Sequence, residues 1–216
     1  VPWKYPDTPQ SRLLRNDGGK LVDVTDDWAP ALRATGMVSS ALWSDYDGDG
    51  RPDLWLTNEW GPVRVWRNTG SALEEQTAAL GLQERTGWWT SIAAADVDGD
   101  GRLDYVVGNV GLNTKYRASA EEPAVLFAGD LDGTGRSNIV EARWENGRLY
   151  PVRGRSKSAY AMPSLRRKFR TFAAWAKSTV EDIYGERLAE ARRLEANELA
   201  SGVLLQRDDG FEFQPL

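Results

Sequence analysis

The sequence predicts an all-β protein made of β-propeller blades, about three and a half of them in a partial propeller, with a small inserted helical segment. Three observations support this prediction. Two nine-residue aspartate loops are each flanked by short apolar runs, the loops and their neighbouring turns recur about every 50 residues, and residues 150–200 change to a helix-forming composition. A four-stranded unit with this repeat is typical of a propeller blade.

The composition limits the chemistry that the chain can perform. A chain of 216 residues with 41% hydrophobic residues can bury a core. It has no cysteine and no histidine, which excludes disulfides, thiolate or imidazole metal sites and a serine–histidine triad. Oxygen ligands remain, and these select hard cations such as calcium. The net charge of −5 argues against a nucleic-acid partner, and no apolar run is long enough to span a membrane.

Loop one (residues 45–53) and loop two (residues 96–104) both read D-x-D-G-D-G-R-x-D. Calcium takes six to eight oxygen ligands, and alternate residues of a tight loop can direct carboxylates to one centre. Without a cation, four carboxylates so close together would repel one another. We expect one calcium ion in each loop. The expected ligands are Asp45, Asp47, Asp49, Asp53 and the Arg51 carbonyl in loop one, and Asp96, Asp98, Asp100, Asp104 and the Arg102 carbonyl in loop two.

Loop three (residues 130–138) is a weaker copy of the same pattern. It keeps two carboxylates and replaces the others with neutral oxygens, so it would bind a third ion less tightly. Its expected ligands are Asp130, Asp132, Thr134, Asn138 and the carbonyl of Arg136.

The loops differ from EF-hand loops. The twelfth positions, which an EF-hand fills with glutamate, are Leu56 and Val107, and the flanking residues favour strands rather than helices. A turn motif also repeats, because residues 15–21 align with residues 67–73 and, in part, with residues 207–211. The first full unit therefore has strands near residues 38–44, 54–58, 63–67 and 73–77.

Residues 41–44, loop one and residues 54–58 together resemble the FG-GAP/VCBS repeat, the calcium-binding blade of integrin α-subunit propellers and of many secreted bacterial proteins. The resemblance covers residues 12–146, and residues 202–214 less closely. It implies an extracellular, calcium-stabilised, non-catalytic propeller for binding or adhesion, with its ligand positions on the loop residues named above. Three loops and an opening hairpin near residues 12–25 fall short of a closed ring. Either the chain is a fragment of a larger propeller, or chains complete one another.

We expect blades over residues 1–149, a helical insertion over residues 150–200 and returning blade strands over residues 201–216. The insertion would lie between the second and third strands of the last blade. Pro163 could begin a helix. Residues 178–181 offer a capping box for a second helix, which Gly185 would end. Residues 186–193 favour a further helix.

Eight basic residues and no acid lie between residues 148 and 170. They could form a patch for an anionic partner, with Arg166, Arg167 and Lys168 as candidate ligands, or a solvated face that balances charge within the chain. Ten tryptophans suggest sugar stacking as an alternative to core packing. Trp43, Trp55 and Trp66 fall in predicted strands and are expected in the core, whereas Trp60, Trp88 and Trp89 are the surface candidates.

The leading functional hypothesis is a non-catalytic binding, adhesion or scaffold module outside the cell or in the periplasm, with two calcium ions and a weaker third. Its partner would be a protein, a polysaccharide or copies of itself. The rival hypothesis is a carbohydrate-active enzyme that uses Glu141 or Glu145 with Tyr160 or Lys157. A third is that the chain is part of a larger multidomain secreted protein.

Overall fold

The computed structural model of the protein describes residues 5–216, and the chain folds into two compact units. The first comprises the chain up to Asn113 together with Leu199–Leu216, and the second is Thr114–Glu198. The strands of the first unit that precede the second are β1 (Leu14–Asp17), β2 (Lys20–Asp23), β3 (Met37–Ser44), β4 (Asp53–Pro62), β5 (Arg64–Asn68), β6 (Leu73–Glu75), β7 (Thr86–Ala95) and β8 (Asp104–Asn109), with helix α1 at Thr25–Trp28 and a 3-10 helix at Pro30–Ala34.

The second unit contains four strands and five short helices, after which the chain returns to the first unit. In chain order they are β9 (Ala124–Gly129), β10 (Asn138–Glu145), β11 (Arg148–Pro151), α2 (Arg155–Ala161), α3 (Ser164–Lys168), α4 (Phe172–Ala176), α5 (Val180–Tyr184), α6 (Arg187–Glu190) and β12 (Arg192–Ala196). The returning strands are β13 (Gly202–Arg207) and β14 (Gly210–Pro215).

Two four-stranded antiparallel sets of strands form the main sheet of the first unit. The first blade is β3-β4-β5-β6, with loop one between β3 and β4. Its four strands lie where they were predicted, but β4 continues to Pro62 and β6 ends at Glu75. The second blade is β7-β8-β13-β14, with loop two between β7 and β8. The predicted all-β fold with blade-like sheets and small helices is therefore confirmed.

The returning strands complete the blade of loop two and not, as expected, the blade of loop three. Leu204 on β13 lies opposite Tyr105 on β8, and both side chains are buried in one core. The burial of Leu204 against residues distant in sequence selects β8 as the partner of β13. If β13 paired in the sheet of loop three instead, Leu204 would lose this core.

The second unit has its own four-stranded sheet in the order β11-β10-β9-β12, with loop three between β9 and β10. Residues 186–193 were expected to be helical, but α6 ends at Glu190 and β12 begins at Arg192. Pairing explains the change, since Leu194 lies opposite the fully buried Leu126 of β9. The predicted boundaries at residues 149/150 and 200/201 remain predictions.

The capping box of α5 is formed by Thr179 and Asp182, one residue later than predicted. Gly185 ends this helix with φ at 59°, as expected. No helix among residues 5–216 combines the length and the apolar character needed to cross a bilayer.

Aromatic rings fill the core of the first unit. Trp55 is completely buried and stacks on Tyr105 with ring centroids 3.7 Å apart, and Trp66 is buried in the neighbouring cluster. Both tryptophans thus lie in the core, as expected. Trp43 does not: it is 50% exposed, because it lies on β3 beside an open groove.

The β1–β2 hairpin forms a separate two-stranded sheet at the start of the first unit. Its position confirms the predicted opening hairpin near residues 12–25.

Candidate metal centre

Loop one begins where β3 ends and returns the chain into β4. Gly48 and Gly50 adopt φ values of 71° and 84°, a region that glycine enters without strain, so the loop can turn tightly. As a result, carboxylate oxygens of Asp45, Asp47 and Asp49 lie within 4.8 Å of one another. Three acidic oxygens at this spacing fit a hard cation between them.

Loop two has the same place in the second blade, between β7 and β8. Here the converging carboxylates are those of Asp96, Asp98 and Asp104, again within 4.8 Å of one another. Six of the eight predicted aspartate ligands of the two loops therefore belong to three-carboxylate groups. Asp53 and Asp100 lie outside these groups, and the carbonyl ligands assigned to Arg51 and Arg102 remain predictions.

The aspartate at the ninth position of each strong loop is buried and joins the loop to the third strand of its blade. Asp53 accepts backbone hydrogen bonds from Tyr46 at 3.2 Å and from Asn68 of β5 at 2.7 Å. Asp104 accepts them from Val97 at 2.8 Å and from Gln206 of β13 at 2.9 Å. The two blades thus repeat one contact, although the residue of the third strand lies 15 positions along the chain from the aspartate in the first blade and 102 positions in the second.

The first aspartate of each loop is held by backbone N–H groups from the loop's second half. Gly50 donates to Asp45 at 2.8 Å and Gly101 donates to Asp96 at 3.0 Å, five residues on in both cases. Gly135 repeats the contact with Asp130 in loop three at 2.9 Å. The repeated wrapping shows that all three sequences form one loop conformation.

Arginines contact the aspartates at the third and fifth positions of the two strong loops. Arg67, at the end of β5, donates to Asp47 at 2.6 Å, and Arg207, at the end of β13, donates to Asp98 at 2.9 Å. Arg102 lies 2.6 Å from Asp100. The contacts of Arg67 and Arg207 were not predicted; their signal in the sequence is the repeated turn motif, which has an arginine in each copy.

Burial and hydrogen bonding shift the pKa values of individual carboxyls. Burial raises the pKa of Asp53, and the nearby charges of Asp47 and Asp49 raise it further, against the opposing effect of its backbone hydrogen bonds. In loop three, the backbone hydrogen bond from Gly135 is the largest cause that lowers the pKa of Asp130. A cation near Asp53 would favour the charged form of this carboxyl and so oppose the effect of burial on its pKa.

Loop three offers a poorer set of ligands. Thr134 donates its hydroxyl to Asp132 at 2.7 Å, and the side chain of Asn138 donates to the carbonyl of Arg136 at 3.3 Å. The guanidinium of Arg187 lies against Gly133, so a positive charge is already close to this loop. These contacts agree with the expectation that loop three binds an ion less tightly.

The tryptophans proposed as surface ligands are mostly buried. Trp60 is 5% exposed and donates its ring N–H to the hydroxyl of Tyr5, and Trp89 is fully buried with its edge against Phe213. Trp88 is half-buried beside Trp60, with ring centroids 5.0 Å apart. The expected exposure of Trp60 and Trp89 is therefore corrected: both pack into the sheet near the junction of β4 and β7.

The basic candidates lie on the surface of the second unit. Arg166, Arg167 and Lys168 are exposed on α3, and the Lys168 ammonium donates to the carbonyl of Ile183 at 2.7 Å. Their role in ligand binding remains a prediction.

The carboxylates of the rival enzyme hypothesis each contact an arginine. Glu141 accepts from Arg153 at 3.2 Å, and Glu145 lies 2.5 Å from Arg143. Tyr160 is 85% exposed.

Repeated blades with an aspartate loop between the first two strands define a β-propeller-like module. Residues 45–107, which span both strong loops and the strands between them, match the family model of the FG-GAP-like repeat. This protein therefore contains an FG-GAP-like repeat, as its sequence indicated. No curated protein and no solved structure matches the chain.

Proposed function

We propose that this chain is a calcium-stabilised, non-catalytic binding or scaffold module that works outside the cell. One observation carries the proposal: two blades hold a three-carboxylate group at the same place, between their first and second strands. A chance acidic turn would have no reason to recur at an equivalent position with equivalent backbone contacts.

Calcium fits these loops better than other common ions. The chain offers no cysteine or histidine ligand, and aspartate, carbonyl and water oxygens are the ligands that calcium prefers. Magnesium requires a small octahedral site and keeps several of its waters, whereas calcium accepts a wider and less regular ring of oxygens.

The contacts of the loop carboxylates with neighbouring strands support a structural role for the ion. Asp104 joins loop two to β8 and, through Gln206, to β13, so an ion bound to it would stabilise three segments of one blade. Extracellular modules bind calcium in roughly the 10⁻⁴–10⁻³ M range, which extracellular calcium can fill and resting cytosolic calcium cannot. The partner would be a protein, a polysaccharide or another copy of the chain.

The test compares thermal unfolding of the purified chain in chelator and in excess calcium, with calorimetric titration of the ion. At a calcium concentration one hundred times Kd, each filled site adds about 2.7 kcal/mol. For a chain of this size, 1 kcal/mol corresponds to roughly 2–4 °C in Tm. We expect a rise of several degrees in calcium and binding of at least two ions.

Three variants locate the effect. Asp49→Ala should remove the calcium response of loop one and Asp100→Ala should weaken that of loop two, because each removes an acidic oxygen predicted to bind the ion. Asp209→Ala is the matched control, since this exposed aspartate lies in the turn between β13 and β14 and outside all three loops. Equal melting temperatures in chelator and calcium would refute the proposal.

A further inference from the structure

A pocket in the second unit is lined by basic side chains and by no acidic one. Its cavity of about 410 Å³ lies between residues 152–157, which connect β11 to α2 and begin α2, and residues of α4. Every residue that lines it belongs to the second unit. The charged residues among them are Lys115, Arg153, Arg155 and Lys157. A concave cavity of this size is typical of a site for a small ligand.

The charge of the chain is divided unequally between its two units. Residues 114–198 contain 16 lysines and arginines against 12 aspartates and glutamates, so the second unit carries +4 although the whole chain carries −5. Between residues 146 and 180 there are nine basic residues and no acidic one. The pocket therefore lies in the part of the chain that attracts anions.

Arg155 is held in position without a carboxylate. Its Nε donates to the backbone carbonyl of Phe169 at 2.5 Å, and its guanidinium lies over the ring of Phe172, 5.2 Å from the centroid. These contacts leave the terminal nitrogens of the guanidinium available, and within residues 5–216 no hydrogen bond or ion pair uses them. A planar guanidinium fixed in this way can bind both oxygens of a carboxylate.

The other basic side chains of the pocket differ in their partners. Arg153 pairs with Glu141 at 3.2 Å, and the side chain of this glutamate is only 14% exposed, so its carboxylate already has a counter-ion. Lys115 and Lys157 are exposed, and neither has a carboxylate partner in the described part of the chain. Two ammonium groups and the guanidinium of Arg155 thus line one cavity without a counter-ion, which an anionic ligand would supply.

Apolar side chains form the rest of the pocket wall. Phe172 of α4 is 65% exposed, whereas Trp175 of the same helix is buried and packs against Phe169. A bare ion would leave the ring of Phe172 in water, but a ring joined to the anion would cover it. The pocket therefore fits an anion that carries a flat apolar face.

We propose that this pocket binds a carboxylate attached to a six-membered ring, which belongs to a sugar acid or to an aromatic acid. The carboxylate binds the terminal nitrogens of Arg155, and the ring covers Phe172. A long polyanion fits less well, because the first unit has 11 basic and 20 acidic residues and would repel it. The pocket shares no residue with the three aspartate loops, so this proposal does not depend on calcium.

Calorimetric titration of the full chain with benzoate and with galacturonate tests the proposal and separates the two kinds of ring. At least one of them should bind with Kd at or below about 1 mM, in chelator as well as in calcium. Benzamide and galactose, the matched neutral compounds, should not bind, and inorganic phosphate should bind at least about tenfold more weakly because it leaves the ring of Phe172 uncovered. NMR spectra of the ¹⁵N-labelled chain should shift at residues 152–157 and 172–176.

Two arginines provide matched variants. Arg155→Ala should weaken binding at least about tenfold, because it removes the hydrogen bonds to the carboxylate. Arg166→Ala removes the same charge from an exposed position on α3 that does not line the pocket, and should leave Kd unchanged. Since Arg155 also contacts Phe169, Lys157→Gln is a second variant at an exposed side chain, and it should weaken binding about two- to fivefold.

Four results would overturn the proposal. They are no saturable binding of either acid below ~10 mM, equal effects of Arg155→Ala and Arg166→Ala, equal affinity for the neutral compounds, and equal affinity for inorganic phosphate. Tighter binding of a single-stranded oligonucleotide than of either acid would also overturn it, because the ligand would then be a nucleic acid.

Discussion

Asp104→Asn should destabilise the first unit even without calcium. The carboxylate is 1% exposed, and its two oxygens accept from the backbone N–H groups of Val97 and Gln206 at 2.8 and 2.9 Å. Asparagine has the same shape but only one acceptor oxygen, so its amide NH₂ must face one of these donors. An unsatisfied buried donor costs about 1–3 kcal/mol, and the remaining hydrogen bond loses its charge.

We therefore expect a loss of about 2–3 kcal/mol in chelator, which corresponds to a fall in Tm of roughly 4–12 °C. Urea unfolding followed by tryptophan fluorescence measures it. Asp100→Asn in the same loop is the control, because Asp100 is partly exposed and pairs with Arg102 at the surface, where an ion pair is worth about 0–1 kcal/mol. In chelator, a cost for Asp104→Asn below about 0.5 kcal/mol, or equal costs for both variants, would refute the reasoning.

Two further predictions concern the aromatic core. Trp55→Ala should cost about 3–5 kcal/mol because it removes a fully buried ring stacked on Tyr105, whereas Trp43→Ala should cost about 1 kcal/mol or less; equal losses in urea unfolding would contradict this packing. Burial raises the pKa of Tyr105 to about 12 from 10.0, so the folded state holds its proton more tightly than the unfolded state. The contribution of this pKa shift to the free energy of unfolding is complete below pH 10. It is lost as pH rises towards 12, by about 1.4 kcal/mol per pH unit. Tyr105→Phe should flatten this slope in urea midpoints measured from pH 9 to 12, and an unchanged slope would contradict the assignment.

The sequence predicted the features that depend on neighbouring residues. In residues 45–53 and 96–104 the glycines permit a tight turn and the alternating aspartates supply the carboxylates. Because both features are local, the loops and their flanking strands could be located from the sequence. The hairpins at β1–β2, β5–β6 and β13–β14 were equally visible, because each turn is a local sequence of asparagine, aspartate and glycine.

Features that depend on distant residues were missed. The pairing of β13 with β8 is selected by a core that joins Leu204 to Tyr105, and no local pattern encodes that choice. The same applies to the contacts of Arg67 and Arg207 with the loops. The predicted surface position of Trp60 was wrong for a related reason. Gly61 and Pro62 follow Trp60 and suggested an exposed turn, but its ring packs against Trp88 of another strand.

The insertion of the second unit between β8 and β13 affects the order of folding. During synthesis the second blade cannot be completed until β13 and β14, which end at Pro215, have been made, whereas the four strands of the first blade all lie within residues 37–75. Contacts between residues so far apart carry a large loop-closure entropy and slow the folding transition. We expect the first blade to form early and β7 and β8 to wait, with an open hydrogen-bonding edge, for the last two strands of the blade.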